Sequence, residues 1–207
     1  MREKYLPVFD TGLRDWLYRL KLKIAYRWLL ESIRKYKSKN IIEIGYGPGI
    51  LASLIMKADP KANYIGFDLD PKGMDYATNY NRKGVFFQGN ATNLKVEGSS
   101  KDLYLAMHVI EHVVKPRDML KEAFRVLRPD GILCLATPNL GCLSNKLSGS
   151  DWIGFEDPTH ISLKSDQEWR SMIKEEGFEL VKDGTTGIRG SGKVATLFFS
   201  PLNLFVY

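Results

Sequence analysis

The sequence has few of the features that mark secreted, fibrous or membrane-spanning proteins. Its 207 residues include two cysteines, Cys134 and Cys142, too few for a disulfide scaffold. No apolar run approaches the ~20 residues that a membrane-spanning helix needs, and residues 1–10 contain no signal-peptide core. Hydrophobic residues at 44% and charged residues at 26% are typical of a globular chain. These absences predict a globular, cytoplasmic protein in a reducing compartment.

The net charge of +6 belongs to one segment of the chain. Between Arg14 and Lys39, basic residues outnumber acidic ones so strongly that the remainder is close to neutral. Apolar residues recur there at helical spacing, namely Leu13, Trp16, Leu17, Leu20, Ile24 and Trp28. We therefore predict a helical extension over residues 1–39 that packs on a domain of residues 40–207. Its basic face is either a solvated surface or a surface for an acidic substrate, nucleic acid or anionic lipid.

Short apolar runs alternate with amphipathic stretches from residue 40 onward. Strands are predicted over Ile41–Gly45, Tyr64–Asp68, Val85–Gln88, Asp102–Met107, Ile132–Thr137 and Phe178–Val181. Helices are predicted over Ile50–Ala58, from Pro71 onward, over Arg117–Leu127 and over Asp166–Glu176, with Gly177 ending the last of these. Strands that alternate with helices at this spacing indicate a parallel sheet covered on both faces. We predict a single α/β domain.

The turn after the first predicted strand carries the strongest chemical signal. Gly45, Gly47 and Gly49 stand at alternate positions, so the backbone can turn sharply and lie close against a ligand. A P-loop needs Gly-Lys-Ser/Thr, which this turn lacks. The dinucleotide fingerprint needs glycine at position 50, where Ile50 stands, and this disfavours an NAD-dependent oxidoreductase.

Asp68 ends the second predicted strand, about twenty residues after the glycine turn. A carboxylate at that place can accept hydrogen bonds from both hydroxyls of a ribose. Its alternative role is to cap the following helix, but Asp70 immediately precedes Pro71 and fits that role better. Asp68 is therefore predicted to be available to a ligand.

Together, these motifs resemble those of class I S-adenosylmethionine-dependent methyltransferases. The glycine turn and Gly66-Phe67-Asp68 resemble the first two motifs of that family. Further matches follow in the family's order: Gly89-Asn90-Ala91, Glu111-His112, Leu127-Arg128-Pro129-Asp130-Gly131, Thr137-Pro138-Asn139 and Glu176-Gly177-Phe178. The resemblance covers residues 40–183. Within the family, the chain most resembles the branch with ubiquinone-pathway O-methyltransferases and glycan-associated methyltransferases. The motifs that carry this resemblance are the Glu-His pair, Thr-Pro-Asn and Asp157-Pro158-Thr159-His160.

The resemblance implies a Rossmann-like, doubly wound and mainly parallel sheet with strand order 3-2-1-4-5-7-6. In this family the seventh strand is antiparallel, and Val194–Ser200 is the segment predicted to supply it. The apolar run Leu202–Tyr207 then packs on the domain, pairs with another subunit or reflects a truncated chain.

The resemblance also implies which residues hold S-adenosylmethionine. The three glycines pass under the ribose and methionine part, while Glu43 fixes that turn and reaches the methionine amino group. Asp68 holds the ribose hydroxyls. Asn90 faces the adenine amino group where the family has Asp, so its uncharged amide predicts weaker binding at most. The predicted cofactor site comprises Glu43, Gly45, Gly47, Gly49, Asp68, Leu69, Asn90, Ala91 and Met107.

The histidines allow several chemistries. His108-x-x-Glu111-His112 matches the inverted zinc-protease pattern, but a strand is predicted to end at His108, so the two imidazoles are not expected to share a helical face. Some ubiquinone-pathway relatives place a divalent ion on Glu-x-x-Glu-His, of which Glu111 and His112 remain. An imidazole in the first position disfavours Mg²⁺. Alternatively, His112, or His160 in the long loop 138–161, is a general base, or the Glu-His pair only starts the next helix.

The sequence thus predicts methyl transfer from S-adenosylmethionine to an oxygen or nitrogen of a small-molecule acceptor. The alternatives are a non-catalytic S-adenosylmethionine-binding protein and a methyltransferase that reaches nucleic acid or lipid through the basic N-terminal helix. The catalytic motif for base amines, Asn/Asp-Pro-Pro-Tyr/Phe, is absent, and Thr137-Pro138-Asn139-Leu140 is its nearest match. Nucleic acid is therefore the less expected partner, while peripheral membrane contact and the oligomeric state stay open.

Overall fold

The computed structural model describes residues 29, 30, 33, 38–188 and 199–206. Its strands are β1 (Asn40–Ile44), β2 (Asn63–Asp68), β3 (Val85–Gln88), β4 (Lys101–Met107), β5 (Leu127–Pro138), β6 (Lys182–Ile188) and β7 (Phe199–Val206). They form one sheet in the order β3-β2-β1-β4-β5-β7-β6. The first five strands are parallel, and β7 is antiparallel to both of its neighbours. The predicted Rossmann-like architecture and strand order are confirmed.

Five α-helices connect these strands within the described part of the chain. They are α1 (Ile50–Ala58), α2 (Met74–Tyr80), α3 (Pro116–Val126), α4 (Leu143–Ser148) and α5 (Asp166–Glu175). Short 3-10 turns cover Pro71–Gly73, Ile110–His112, Gly149–Asp151 and Ile153–Phe155. None of the described helices has the length and apolar character needed to cross a bilayer.

The period-two alternation along β4 divides the core between the two faces of the sheet. Leu103 and Leu105 belong to a buried cluster that includes residues of α1 and α2. Tyr104 and Ala106 belong to the opposite cluster, which includes residues of α3 and α5. Because both faces of this central strand are covered, its sequence is a nearly continuous apolar run, which is typical of a buried parallel strand.

The predicted N-terminal extension lies largely outside the described residues. Leu29, Leu30 and Ile33 are helical, and the side chains of Leu29 and Ile33 are buried in the cluster with α1 and α2. The basic face, and the division between residues 1–39 and 40–207, stay predictions.

The sixth strand begins later than the sequence predicted. Gly177 ends α5 with a φ of +94°, as expected. The next residue, Phe178, is buried, and its N–H donates to the carbonyl of Ile173 at 3.3 Å. This helix-ending bond returns Phe178 to the core before the chain enters the sheet. The predicted strand over Phe178–Val181 is therefore wrong, and Lys182–Ile188 is the strand.

The seventh strand is also shifted toward the C-terminal side. The prediction placed it over Val194–Ser200, of which residues 194–198 lie outside the described residues, whereas β7 is Phe199–Val206. Leu204 pairs with Ala136 of β5 on one side and with Gly184 of β6 on the other. The apolar run that begins at Leu202 thus fills an interior position of the sheet, where both faces of a strand favour apolar residues.

Candidate functional site

The glycine turn after β1 depends on left-handed backbone at three positions. Gly45, Gly47 and Gly49 have φ values of +73°, +49° and +76°, a region that residues with a Cβ rarely adopt. The N–H of Gly45 donates to the carbonyl of Phe67 at 2.7 Å, which holds the start of the turn against β2. A Cβ on Gly47 would meet no atom of the described residues within 4 Å, so these residues leave the backbone open to a ligand there.

Asp68 joins the glycine turn to the end of β2. Its Oδ2 accepts a hydrogen bond from the N–H of Gly47 at 2.8 Å, and its Oδ1 accepts one from the N–H of Asp70 at 3.0 Å. Asp68 thus also has a structural role, and each oxygen retains a further lone pair for the ligand role that the sequence predicts. Asp70 accepts from the N–H of Lys72 at 3.1 Å and is the cap, as predicted. The following side chain, Leu69, is 71% exposed.

Glu43 lies inside the sheet, two residues before the turn, and is buried. The hydroxyl of Tyr64 on the neighbouring strand donates to its carboxylate. Burial, with a smaller contribution from the nearby charge of Asp68, raises the pKa of Glu43 to about 8. Among the described residues, Asp68 makes the side-chain bond to the turn and Tyr64 is a hydrogen-bond partner of Glu43, so the role of Glu43 in fixing the turn stays a prediction.

The predicted adenine end of the site lies after β3. Ala91 is buried, and Asn90 is exposed. The Oδ1 of Asn90 accepts hydrogen bonds from both the N–H and the hydroxyl of Thr92, each at 3.0 Å. The expected free amide oxygen is thus already engaged, because a local turn offers it two donors. Met107 is half-buried where β4 ends, on the other side of β1.

The backbone is strained immediately after β4. His108 has a φ of +60°, and its N–H donates to the carbonyl of Ala136 at 2.8 Å. Its Nδ1 lies 3.2 Å from Oε1 of Glu111, whose side chain is fully buried in the 3-10 turn. His108 stands outside that turn, so the two histidines of His-x-x-Glu-His share no helix, as predicted. Strain of this kind in a non-glycine residue is often found at functional sites.

The long loop is fastened at its base and at its far end. Asn139, for which the sequence suggested no role, accepts hydrogen bonds at Oδ1 from the N–H groups of Gly141 and Asp166, at 2.7 and 3.1 Å. Near the other end, the N–H of Ser162 donates to the carbonyl of Glu111 at 2.9 Å, and its hydroxyl donates to that of Val113 at 2.7 Å. The loop therefore packs directly on the 3-10 turn.

This packing brings His160 to His112. The two ring centroids are 4.8 Å apart. The Nδ1 of His112 donates to the carbonyl of Thr159 at 3.1 Å, and that of His160 donates to the carbonyl of Gly154 at 2.7 Å. Both Nε2 atoms are thereby left as acceptors. With Glu111 they form a polar cluster, the Glu-His-His cluster, on the same edge of the sheet as the glycine turn.

Substitution of Gly45 by alanine is expected to destabilise the fold more than the same change at Gly47. Both positions need positive φ, but a Cβ at Gly45 would also overlap the side chain of Val109, whereas one at Gly47 has open space. Strain alone costs about 1–2 kcal/mol, so Gly45→Ala should exceed Gly47→Ala in the loss of free energy of unfolding. Urea denaturation of both variants measures this, and equal losses would contradict the predicted overlap.

Glu43 is expected to make the folded chain less stable as pH rises. Its folded pKa is raised to about 8 from an ordinary 4.5, so between these values the folded state binds the proton that the unfolded state has lost. The contribution of Glu43 should therefore lower the free energy of unfolding by up to about 1.4 kcal/mol for each pH unit across that window. Glu43→Gln should flatten the dependence, while Glu97→Gln, at an exposed position, should leave it unchanged. Unfolding curves at several pH values test this, and an unaltered slope in Glu43→Gln would refute it.

Comparison with known proteins places this arrangement in a family. Residues 16–183 match the family model described as "Methyltransferase domain". Over 154 residues the chain is 30% identical to a Mycolicibacterium smegmatis protein named "Probable S-adenosylmethionine-dependent methyltransferase", covering 74% of this chain and 57% of that protein. An uncharacterized methyltransferase of Mycobacterium tuberculosis strain H37Rv is 30% identical over 111 residues, which cover 53% of this chain and 43% of that protein. The chain thus spans about half the length of the curated relatives it matches.

Solved structures share the fold. The PH0226 protein of Pyrococcus horikoshii OT3 superposes with a TM-score of 0.75 at 18% identity, covering 100% of this chain and 99% of that one. The trans-methyltransferase CalH, whose structure is a complex with S-adenosylhomocysteine, superposes with a TM-score of 0.66 at 18% identity over 96% of this chain and 59% of that one. With the sheet order, the glycine turn and the matched family model, these findings show that the chain belongs to the class I S-adenosylmethionine-dependent methyltransferases.

Proposed function

We propose that this chain transfers a methyl group from S-adenosylmethionine to an oxygen or nitrogen of a small-molecule acceptor. The observation that carries the proposal is that the candidate cofactor residues and the candidate catalytic residues lie at the same edge of the sheet. The glycine turn and Asp68 lie at the carboxyl ends of β1 and β2, and the Glu-His-His cluster lies beyond the end of β4 under the long loop. Ligands bind at this edge in open α/β sheets.

The residues present fit S-adenosylmethionine. The open backbone at Gly47 gives room for the ribose and methionine part, and the lone pairs that Asp68 retains are acceptors for the ribose hydroxyls. The exposed side chain of Leu69 offers an apolar surface beside them. The backbone N–H of Ala91 is the donor for the adenine ring, and Met107 lines the methionine side. The Glu43 carboxylate is the acceptor for the methionine amino group.

Two features of this chain alter the usual polar contacts of such a site. Because Thr92 engages the Oδ1 of Asn90, the amide meets adenine through its NH₂ donors unless the side chain turns. Glu43 is protonated in the free chain over most of the neutral range, since its pKa is about 8. A positively charged amino group nearby favours the carboxylate form.

The Glu-His-His cluster supports a role in preparing the acceptor. Bound S-adenosylmethionine supplies a methyl group already activated on a positively charged sulfur, so the protein must place the acceptor in line and remove its proton. In both His112 and His160, Nδ1–H donates to a backbone carbonyl, which fixes the tautomer of the ring. Nε2 of each ring is then the acceptor. Either imidazole is therefore suited to take the acceptor's proton.

An apolar or amphipathic small molecule fits this surface best. Exposed apolar side chains lie in the segments that carry and fasten the cluster: Val114 is 77%, Ile161 56% and Phe155 48% exposed. Such a rim suits an aromatic or aliphatic body with one hydroxyl or amine better than a polyanion. The resemblance to ubiquinone-pathway and glycan-associated enzymes favours a hydroxyl acceptor. The basic segment between Arg14 and Lys39 keeps anionic lipid as the alternative surface and nucleic acid as the less expected one.

Asp68→Asn is expected to weaken S-adenosylhomocysteine binding by about 10- to 100-fold, since hydrogen bonds to a charged group contribute about 1.5–3 kcal/mol. The exposed Asp75→Asn on α2 serves as the matched control and should bind as the wild type does. Calorimetric titration gives the affinities, and thermal unfolding checks that the turn survives the loss of the Gly47 bond. If folded Asp68→Asn binds S-adenosylhomocysteine as tightly as the wild type does, Asp68 is not a ligand of the cofactor.

Turnover should appear with small hydroxyl or amine acceptors. The full chain is incubated with methyl-labelled S-adenosylmethionine and with panels of phenols, aliphatic alcohols and amines, and transfer of the label is measured. Nucleic acid and anionic vesicles are tested as acceptors in separate experiments. Label transfer to a panel member, lost in Asp68→Asn, is the expected result. Cofactor binding without transfer in any arm would favour a non-catalytic binder. Transfer confined to nucleic acid or vesicles would overturn the small-molecule acceptor.

A further inference from the structure

A buried carboxylate oxygen in the Glu-His-His cluster has no hydrogen-bond partner among the residues that the structure describes. Glu111 is fully buried, and its Oε1 lies 3.2 Å from Nδ1 of His108. Its Oε2 is also buried, and no hydrogen-bond donor of the described residues reaches it. A buried oxygen of this kind is costly unless a donor or a cation satisfies it. The buried Oε2 of Glu111 therefore requires a positively charged or donating group that the described part of the chain does not provide.

The two neighbouring imidazoles are held as metal ligands usually are. Each donates its Nδ1–H to a backbone carbonyl, His112 to Thr159 and His160 to Gly154. Such outer bonds fix the tautomer and the ring orientation of a metal-binding imidazole. The hydroxyl of Thr159, at 2.9 Å from Nδ1 of His112, also contacts Asp157, which extends the support behind the ring.

These three groups converge on one small volume. One candidate ligand atom from each of Glu111, His112 and His160 lies within 4.8 Å of the others. A tetrahedral ion with bonds of about 2.0–2.1 Å holds its donor atoms about 3.3 Å apart, so closure by at most about 1.5 Å is needed. The bonds from Ser162 to the backbone of Glu111 and Val113 already hold the loop against the 3-10 turn.

We propose that Glu111, His112 and His160 bind a divalent transition-metal ion of the Zn²⁺ class. Two imidazoles and one carboxylate form a ligand set suited to Zn²⁺ and to Fe²⁺, and they leave at least one position open. His108 is a positioning residue here, because its ring contacts the other oxygen of Glu111. The ligand from the long loop, His160, takes the place that the sequence pattern would give to position 108. This proposal does not rest on the proposed function, and with the ion bound the Nε2 atoms of His112 and His160 are ligands rather than bases.

The test is a titration of the tag-free full chain, stripped with EDTA, with Co²⁺ and then with Zn²⁺. We expect one Co²⁺ per chain with visible absorption, displacement by Zn²⁺, and a thermal midpoint that rises with Zn²⁺ concentration. Millimolar Mg²⁺ should neither displace Co²⁺ nor shift the midpoint, since imidazole ligands disfavour it. Absence of Co²⁺ and Zn²⁺ binding by the folded wild type would overturn the proposal and leave the histidines as bases.

Variants identify the ligands. Glu111→Gln, His112→Ala and His160→Ala should each weaken Co²⁺ binding by more than the ~10–100-fold that loss of an outer-shell partner costs. His108→Ala, the matched control and the only other histidine, should stay within that range. S-adenosylhomocysteine titration of each variant reports whether the domain is folded and keeps this result separate from the cofactor assignment. A loss at His108 as large as at His160, or no loss at His160, would overturn the ligand set.

Discussion

The hydrogen bond between the N–H of Gly47 and the carboxylate of Asp68 is the interaction on which the candidate cofactor site depends. It holds a left-handed glycine turn against the end of β2, so that the chain can leave β1 sharply and begin α1. The same carboxylate orders the start of the next loop through Asp70. One side chain thus fixes two adjacent loops at the carboxyl edge of the sheet. Its remaining lone pairs point to a ligand role that adds to this structural one.

The other half of the edge depends on how the long loop packs. Asn139 closes the base of the loop, and Ser162 fastens its far end to the 3-10 turn after β4. These contacts place His160 beside His112, in a region where Glu111 is buried and where His108 has strained backbone. A site assembled from a loop and a strand end can change its chemistry without any change in the sheet, which is common in α/β enzymes.

The fold was largely predictable because its signals are local. The apolar periodicity of each strand and the glycine turn are readable over a few residues, and the family resemblance then gave the strand order. The errors lie where a distant contact competes with local pattern. Phe178 has the appearance of a strand residue, yet it packs in the core as the hydrogen-bonded end of α5. The sequence placed the seventh strand before the apolar run Leu202–Tyr207, whereas most of that run belongs to β7 and lies inside the sheet.

The amino-acid sequence alone was enough to predict the class of protein, because several motifs together resemble those of one family, and to predict that the glycine turn and Asp68 lie at one edge of the sheet, because each follows a parallel strand. Tertiary structure decided which partners those residues have. Tyr64 engages Glu43, Thr92 engages Asn90, and the loop brings His160 to His112 and Glu111. These contacts join different elements or depend on one turn's geometry, so no spacing in the sequence could reveal them.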